Sequence, residues 1–492
     1  MCLRSQRFVI SRYEFVTLLA LWLVMGRELC AQPAQLSLPD DAQSIAQVPP
    51  PPVSPSGGTP AVTLPLVPSL PSAPTPNDDL FRRLFARNTL APTPLNRKTS
   101  LRQLSASPMF GDNQDAACGA VELLGIGVLA AEHPALGCFR LNISENNTPV
   151  PTDRVYFRYN HLHNSLNYDV TRIIGKEEGL YNLNVDRFIW GMEKTLMDGR
   201  SSIEVRIPTS YEITPDPSIY VTESATNLPY TTQEYVLKNF GLIYKTVLYE
   251  TDDFLLSAGV AVDLPTAPGL EMDVQVRDTF PFTHPNVPPP FNTPLNFVGS
   301  VNVDNSTVNV SPLLAMGWTP TERTFFQGFI QFDHPLNPSR VEGAIVTKPT
   351  DPNSNAPDFR SVDSSHFYQQ NLLRLNIGSG YSLWKDRSGR VTDWRISSEL
   401  HYTTTLENAR NAVLRAQFVN PADPNQTLPL GIAGDITLGN IANRVDVLNY
   451  TFGNTFVLNG RTSVGTGVAV PLRNAADKRF DCEFILQINH QY

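Results

Sequence analysis

The sequence predicts an all-β chain: an up-and-down antiparallel transmembrane β-barrel of about twelve strands behind a disordered Pro-rich N-terminal arm. Three observations predict it. From Asp153 onward, apolar and polar side chains alternate in segment after segment. The breaks between these segments alternate between tight and long. The last thirteen residues set Phe480, Cys482, Phe484, Leu486, Ile488, His490 and Tyr492 on one face and Asp481, Glu483, Ile485, Gln487, Asn489 and Gln491 on the other. Side chains on a strand alternate faces, so this segment has one greasy face and one wet face.

The elements follow in chain order. Arg4, Arg7 and Arg12 form a basic n-region, Phe15 to Met25 an apolar h-region, and Leu29-Cys30-Ala31 a small-residue cleavage site, so residues 1–31 read as a secretory signal. The long n-region leaves an uncleaved anchor open. A lipid-modified Cys30 is rejected because Glu28 and Leu29 are not the small residues that such a site requires.

Residues 32–111 read as a Pro-rich periplasmic linker. Its stretch 48–76 is so rich in Pro and small residues that it cannot bury a core and is expected to be extended or disordered. Near its end, residues 79–88 form a short amphipathic helix in this reading. Leu80, Phe81, Leu84 and Phe85 share one face, with Asn77 or Asp78 as cap. About two turns is marginal for a free helix, so anionic headgroups would be its support. Residues 112–152 read as a plug or a pre-barrel turn.

The barrel is expected over 153–492. Val155, Phe157 and Tyr159 alternate with Tyr156, Arg158 and Asn160; Ile203, Val205 and Ile207 alternate with Glu204 and Arg206; Leu373, Leu375 and Ile377 alternate with Arg374 and Asn376. Several such repeats run about ten residues, enough to cross a bilayer at a tilt. Tight turns are expected at 196–200, 250–253, 319–322, 385–389 and Asn459-Gly460, the last a strong hairpin signal. Long polar loops are expected at 163–181, 212–235, 266–306, 334–369 and 403–443. Up-and-down strands put every tight turn, Asp153 and Tyr492 at one end. Membrane barrels sort their loops this way, with short periplasmic turns and long external loops. Tyr249, Trp318, Trp384 and Tyr492 fall beside the tight turns, where amphipathic rings favour the membrane interface.

Composition excludes other classes. No apolar run after the signal is long enough for a helical span. A net charge of −9 argues against nucleic acid as a partner, since that surface must be basic. Charged residues make up 17% of the chain, below the usual share of about a quarter. Of the five cysteines, Cys118 and Cys138 lie in an exported, oxidising context and are candidates for a disulfide, left open either way.

These features resemble bacterial outer-membrane β-barrel proteins. More narrowly, Ile143 to Pro149, Pro151 to Phe157, Met192 to Thr195, Asp198-Gly199-Arg200 and Glu204-Val205-Arg206 resemble a largely uncharacterised family of exported bacterial barrel proteins. The resemblance spans about residues 139 to 492 and implies a fold and an outer-membrane location, without a mechanism. It implies outer-membrane lipid and the barrel-assembly machinery as partners. Phe484, Leu486, Ile488 and Tyr492 would then be the membrane-insertion signal.

Function is expected on the wet face. Arg158, Arg187, Glu193, Glu204, Arg206, Arg374, Arg395, Glu399, Asp481 and Glu483, together with Lys245 and Arg479, are the candidate lumen-lining residues. An Arg or Lys facing lipid at the midplane costs about 2–4 kcal/mol, which puts these side chains inside. Glu204 and Arg206 are expected to meet Arg187 and Glu193 on the neighbouring strand. No catalytic, metal or cofactor site is expected. Ser397 and His401 share a face but stand too far apart for direct contact, His161 and His163 near Asp169 are a weak coincidence, and no zinc or phosphate-loop motif occurs. The leading expectation is a passive pore or small-solute channel. The alternative is a non-conducting barrel that anchors the outer membrane to the cell wall through the Pro-rich arm. An open lumen would favour the first, a blocked one the second.

Overall fold

The computed structural model describes residues 104, 106–112, 118–123, 127–130, 133–170, 179–215, 219–222, 231–280, 295–349, 359–386, 389–415, 417–420, 423–429, 436–440, 442–474 and 477–492. The expected signal, the 79–88 helix and the linker up to residue 103 lie outside them. The end of the expected 32–111 linker does not: Ser107, Phe110 and Gly111 bond to Gln327, Arg158 and Glu399 inside the barrel, which corrects the linker's boundary.

Twelve strands form the wall: β1 (Arg154–Val170), β2 (Gly179–Leu196), β3 (Ser201–Pro215), β4 (Phe240–Glu250), β5 (Phe254–Leu264), β6 (Asn309–Trp318), β7 (Thr324–Pro335), β8 (Leu372–Lys385), β9 (Val391–Thr405), β10 (Asp446–Leu458), β11 (Thr462–Pro471) and β12 (Cys482–Gln491). Each pairs antiparallel with the next. β12 returns to β1, from Gln491 opposite Arg154 to Cys482 opposite His163. Closure leaves the sheet no unpaired edge, the condition for a β-structure to stand in hydrocarbon.

The shortest wall strands have 10 residues. At about 3.3 Å per residue and a tilt near 40°, ten residues rise about 25 Å, the height of an apolar membrane belt. The outward side chains build that belt. Trp190, Ile203, Val205, Leu242, Leu314, Met316, Ile330, Ile377, Tyr381 and Phe452 are all exposed. Tyr249, Trp318, Trp384 and Tyr492 are exposed beside the tight turns, as the interface preference of aromatic rings requires.

The tight turns fall where expected, and two use left-handed backbone. Asp198 and Gly199 have φ of 54° and 80°, and Asn459 and Gly460 have φ of 51° and 70°. Positive φ at both central residues matches the twist of the strands that Asn459-Gly460 joins.

The long connections correct the sequence reading. They are not polar loops throughout. β1 runs on to Val170 and β2 starts at Gly179, so most of 163–181 is strand. Leu270–Phe280, Leu295–Val303, Ser339–Pro349, Phe359–Phe367 and Ile219–Thr222 pair into a separate five-stranded sheet at the long-loop end. Ala412–Leu414 and Ile436–Gly439 also pair, within 403–443. The reason is apolar cargo: Val301, Val303, Val341, Phe367, Leu414, Ile436 and Leu438 belong to one buried core at this end. Prolines and polar residues around these short runs masked their β pattern.

Candidate functional site

The lumen is occupied by the chain itself. The described residues between 104 and 152 form a plug of two limbs. The first runs from Leu104 toward the long-loop end through Ser107, Phe110 and Asp112, and the second returns from Pro134 through Leu141 and Glu145 to β1. Met109 donates its N–H to the Asn147 carbonyl at 2.8 Å, and Gly119 donates to Leu136 at 2.8 Å, so the limbs are joined at two levels. Cys118 and Cys138 are bonded to each other, with Cα atoms 4.5 Å apart, and clamp the limbs near the outer end. There the strands Ala120–Leu123 and Gly127–Ala130 form a hairpin that adds to Ile436–Gly439.

The wall holds this segment mostly through polar contacts, level by level. At the tight-turn end, Arg154 binds Glu193 at 2.8 Å, Glu204 at 3.4 Å and the Asn146 carbonyl at 2.7 Å. Lys245 contacts Glu193 at 3.2 Å and donates to the Thr148 carbonyl at 2.6 Å. Ser257 donates to the Pro149 carbonyl at 2.8 Å.

Near mid-height, the N–H groups of Phe110 and Gly111 donate to the Glu399 carboxylate at 2.8 and 2.9 Å. Arg158 donates to the Phe110 carbonyl. Glu145 meets Arg187 at 3.2 Å and Arg158 at 4.0 Å. Arg206 pairs with Glu204 at 2.6 Å and donates to the Asn142 carbonyl at 2.8 Å. Across the lumen, Gln331 accepts from the Ile143 N–H at 2.9 Å and donates to the Leu141 carbonyl at 2.6 Å.

A closed barrel of antiparallel strands with an apolar exterior and buried charge inside leaves one environment for the outer surface. The chain is an outer-membrane β-barrel. No family model matches the sequence, and no curated protein matches it. Among solved structures it is similar to the NanC porin, at 7% identity over 69% of this chain and 98% of that one, with a TM-score of 0.32. It is similar to an outer membrane channel from Pseudomonas putida F1 at 10% identity over 70% and 97% of the two chains, TM-score 0.36. A deltaS2 mutant of the TodX monoaromatic hydrocarbon channel gives 9% identity, 78% and 97% coverage, and a TM-score of 0.38. At such values the likeness carries no argument, and the fold rests on the register of the chain's own strands.

The candidate lumen residues divide as follows. Arg158, Arg187, Glu193, Glu204, Arg206, Lys245, Arg374, Arg395, Glu399 and Glu483 are all buried. Asp481 is not among them. Its side chain is 40% exposed, pairs with Lys478 and accepts from Asn164 at 2.6 Å, because it lies just before β12 begins and beyond the strand's alternation.

The expected four-residue cluster also changes membership. Glu193, Glu204 and Arg206 are linked through Arg154 and Lys245, whereas Arg187 turns to Glu145 and the Phe139 ring of the plug. Arg374 binds Asp333 at 2.9 Å, and Arg395 binds Asp393 at 2.6 Å. His401, set aside with Ser397 in the sequence, contacts Glu399 at 3.2 Å and donates from Nδ1 to the Asn376 side-chain oxygen at 2.9 Å.

Other functional positions escaped the sequence reading. The inner face is not wet all round: Ile243, Val247, Ala261, Leu313, Ala315, Phe325 and Phe329 point inward on β4 to β7. They pack on Leu104, Met109, Leu141, Ile143 and Val150 of the plug. Phe110 is fully buried against Gly453, Gly465 and Gly467, where an added Cβ would lie 2.4–3.0 Å from its ring. These inward glycines on β10 and β11 were the available signal. A wall facing only water has no need of a seat shaped for one aromatic ring.

Proposed function

We propose that this barrel is a small-solute channel of the outer membrane, closed in the state described by its own plug, of which 104, 106–112 and 133–152 are the described lumenal parts. The observation that carries the reading is the manner of closure. Among the described residues the inward polar groups do not zip wall to wall across the lumen. Arg158, Arg187, Lys245, Glu399, Gln327 and Gln331 reach the plug, several of them its backbone. Such bonds exchange for water at a small net free energy, about 0.5–1.5 kcal/mol each, with bonds to charged groups higher at about 1.5–3. A wall bonded in this way can be wetted once the segment moves. The space that two polypeptide limbs fill is also wide enough for a solute to pass.

A blocked lumen is the state expected of the non-conducting anchor, and what favours the channel instead is that the occupant is held by bonds that water can replace; the arm that would engage the cell wall lies outside the described residues. The barrel-assembly machinery enters as the partner that inserts the chain, through the outward face of β12.

Planar-bilayer recording of the purified full chain tests the reading. The wild type is expected to be closed for most of the time with voltage-dependent openings. Phe110→Ala, which empties the glycine-lined seat, is expected to open more often. Silence in both, with each migrating as a heat-modifiable barrel, would refute the channel.

A further inference from the structure

The wall of the lumen is unevenly charged. Among the described residues, β1 to β4 bury five cations, Arg154, Arg158, Arg187, Arg206 and Lys245, against two carboxylates, Glu193 and Glu204. β5 to β9 bury four carboxylates, Asp263, Asp333, Asp393 and Glu399, against Arg374 and Arg395. Most members of the basic side have counter-charges of their own on the wall. Arg154 and Lys245 share Glu193, and Arg206 holds Glu204. Arg158 lies 3.7 Å from Glu483 of the neighbouring β12.

Arg187 differs. Its ion pair is with the plug's Glu145, and its guanidinium stands 5.4 Å from the ring centroid of the plug's Phe139. The wall's Asp263 is within electrostatic reach but makes no ion-pair contact with it among the described residues. Glu145 in turn is 2% exposed and has no residue of its own limb as a salt partner. It sits between Arg187 and Arg158, with Arg206 also within electrostatic reach.

We infer that the pair Arg158 and Arg187 is an oxyanion-binding station of the channel, and that Glu145 occupies it in the closed state as a tethered stand-in for a carboxylate- or phosphate-bearing solute. The inference rests on the channel reading above. A buried guanidinium left without its partner is costly, so a plug that withdraws Glu145 leaves Arg187 in need of an anion. Planar guanidinium forks match carboxylate and phosphate oxygens, and fixed charge in a narrow lumen biases what permeates. The acidic side of the lumen then disfavours a second anion and keeps the station on the β1–β4 wall.

The test uses the full chain in a planar bilayer under a potassium chloride gradient, with inorganic phosphate as the probe. Glu145→Gln removes the stand-in charge and adds none. It is expected to open more often than wild type, with a reversal potential on the anion-selective side, and phosphate should shorten or block its openings. In Glu145→Gln combined with Arg187→Gln, openings should persist while anion preference and phosphate block are lost. Phe110→Ala opens the plug with all charges kept, and serves if Glu145→Gln does not assemble. Openings of Glu145→Gln, or of Phe110→Ala in its place, without anion preference and without a phosphate effect overturn the station and leave the channel standing, as does anion preference that survives in the double variant. No openings in any variant overturn the channel, and the station with it.

Discussion

The two faces of one strand carry different kinds of information. On β8, Leu375, Ile377, Tyr381 and Leu383 look outward and Arg374, Asn376 and Ser382 look inward. The outward set meets lipid, which has no shape. Any apolar side chain of roughly the right size satisfies it, so the outward face is written in composition and period alone. The inward set meets a particular piece of peptide. Arg374 must reach Asp333, and the inward gap at Gly378 lies 3.3 Å from the Met109 side chain of the plug. The first face makes the barrel stand in a membrane; the second decides what the barrel contains. Substitutions on the two faces should therefore fail in different ways.

The largest effect is expected on the outer face of β12, the strand that closes the barrel onto β1. Leu486→Asp together with Ile488→Asp puts two charges on the lipid side, each costing somewhat less than the about 2–4 kcal/mol of an Arg or Lys at the midplane. That removes closure rather than trimming stability. The variant should accumulate unassembled and be degraded, seen as loss of the heat-modifiable band in outer-membrane fractions. Normal membrane yield would mean that β12 does not present this face to lipid, and the contrast between faces would collapse.

The inner face should fail more gently. Phe110→Ala deletes a fully buried ring from its glycine-lined seat, a change of about 3–5 kcal/mol in well-packed sites. The loss falls on docking of the plug, so the barrel should still assemble while amides of 107–112 lose hydrogen-exchange protection. If heat-modifiable migration disappears as well, the plug is part of the folding core and cannot be a gate.

The same division explains what the sequence could disclose. The wall was legible because period two, loop sorting and an aromatic rim are local properties, readable from Val155 or Trp318 and their immediate neighbours. The inward direction of Arg158, Arg187 and Glu399 was legible for the same reason, since lipid rejects charge. Their partners were not. Phe110 and Glu399 are separated by 289 residues, and Ile143 and Gln331 by 188. No local pattern announces which interior group meets which stretch of plug. Residues 112–152 read as either a plug or a pre-barrel turn, and the sequence did not choose between them because the backbone of this stretch, more than its side chains, supplies the bonds. Asp481 was misplaced because alternation was carried past the start of β12, and the five-stranded sheet was missed because its short strands are embedded among prolines and polar residues.

The smallest expected effect sharpens the comparison at the outer end, beyond the membrane-spanning strands. His133 caps the turn Pro134–Leu136, its Nδ1 accepting the Ala135 N–H at 3.2 Å, next to the Cys118–Cys138 clamp. Burial, aided by the nearby Lys238 cation, lowers its pKa from the ordinary 6.5 to about 3. A base whose folded pKa lies below its unfolded one is held neutral by the fold. The stability it lends is complete above pH 6.5 and is lost progressively as pH falls from 6.5 toward 3, because the unfolded turn binds the proton first. Protonation would also turn the cap's acceptor into a donor facing an N–H. Hydrogen-exchange protection at Ala135 and Gly137 should therefore fall between pH 6.5 and pH 4, while the outward-facing strands keep theirs. His133→Asn retains an acceptor without a proton to gain, and its protection should be flat over that range. An equal fall in both chains would assign the acid sensitivity to some other group and leave His133 as a cap alone.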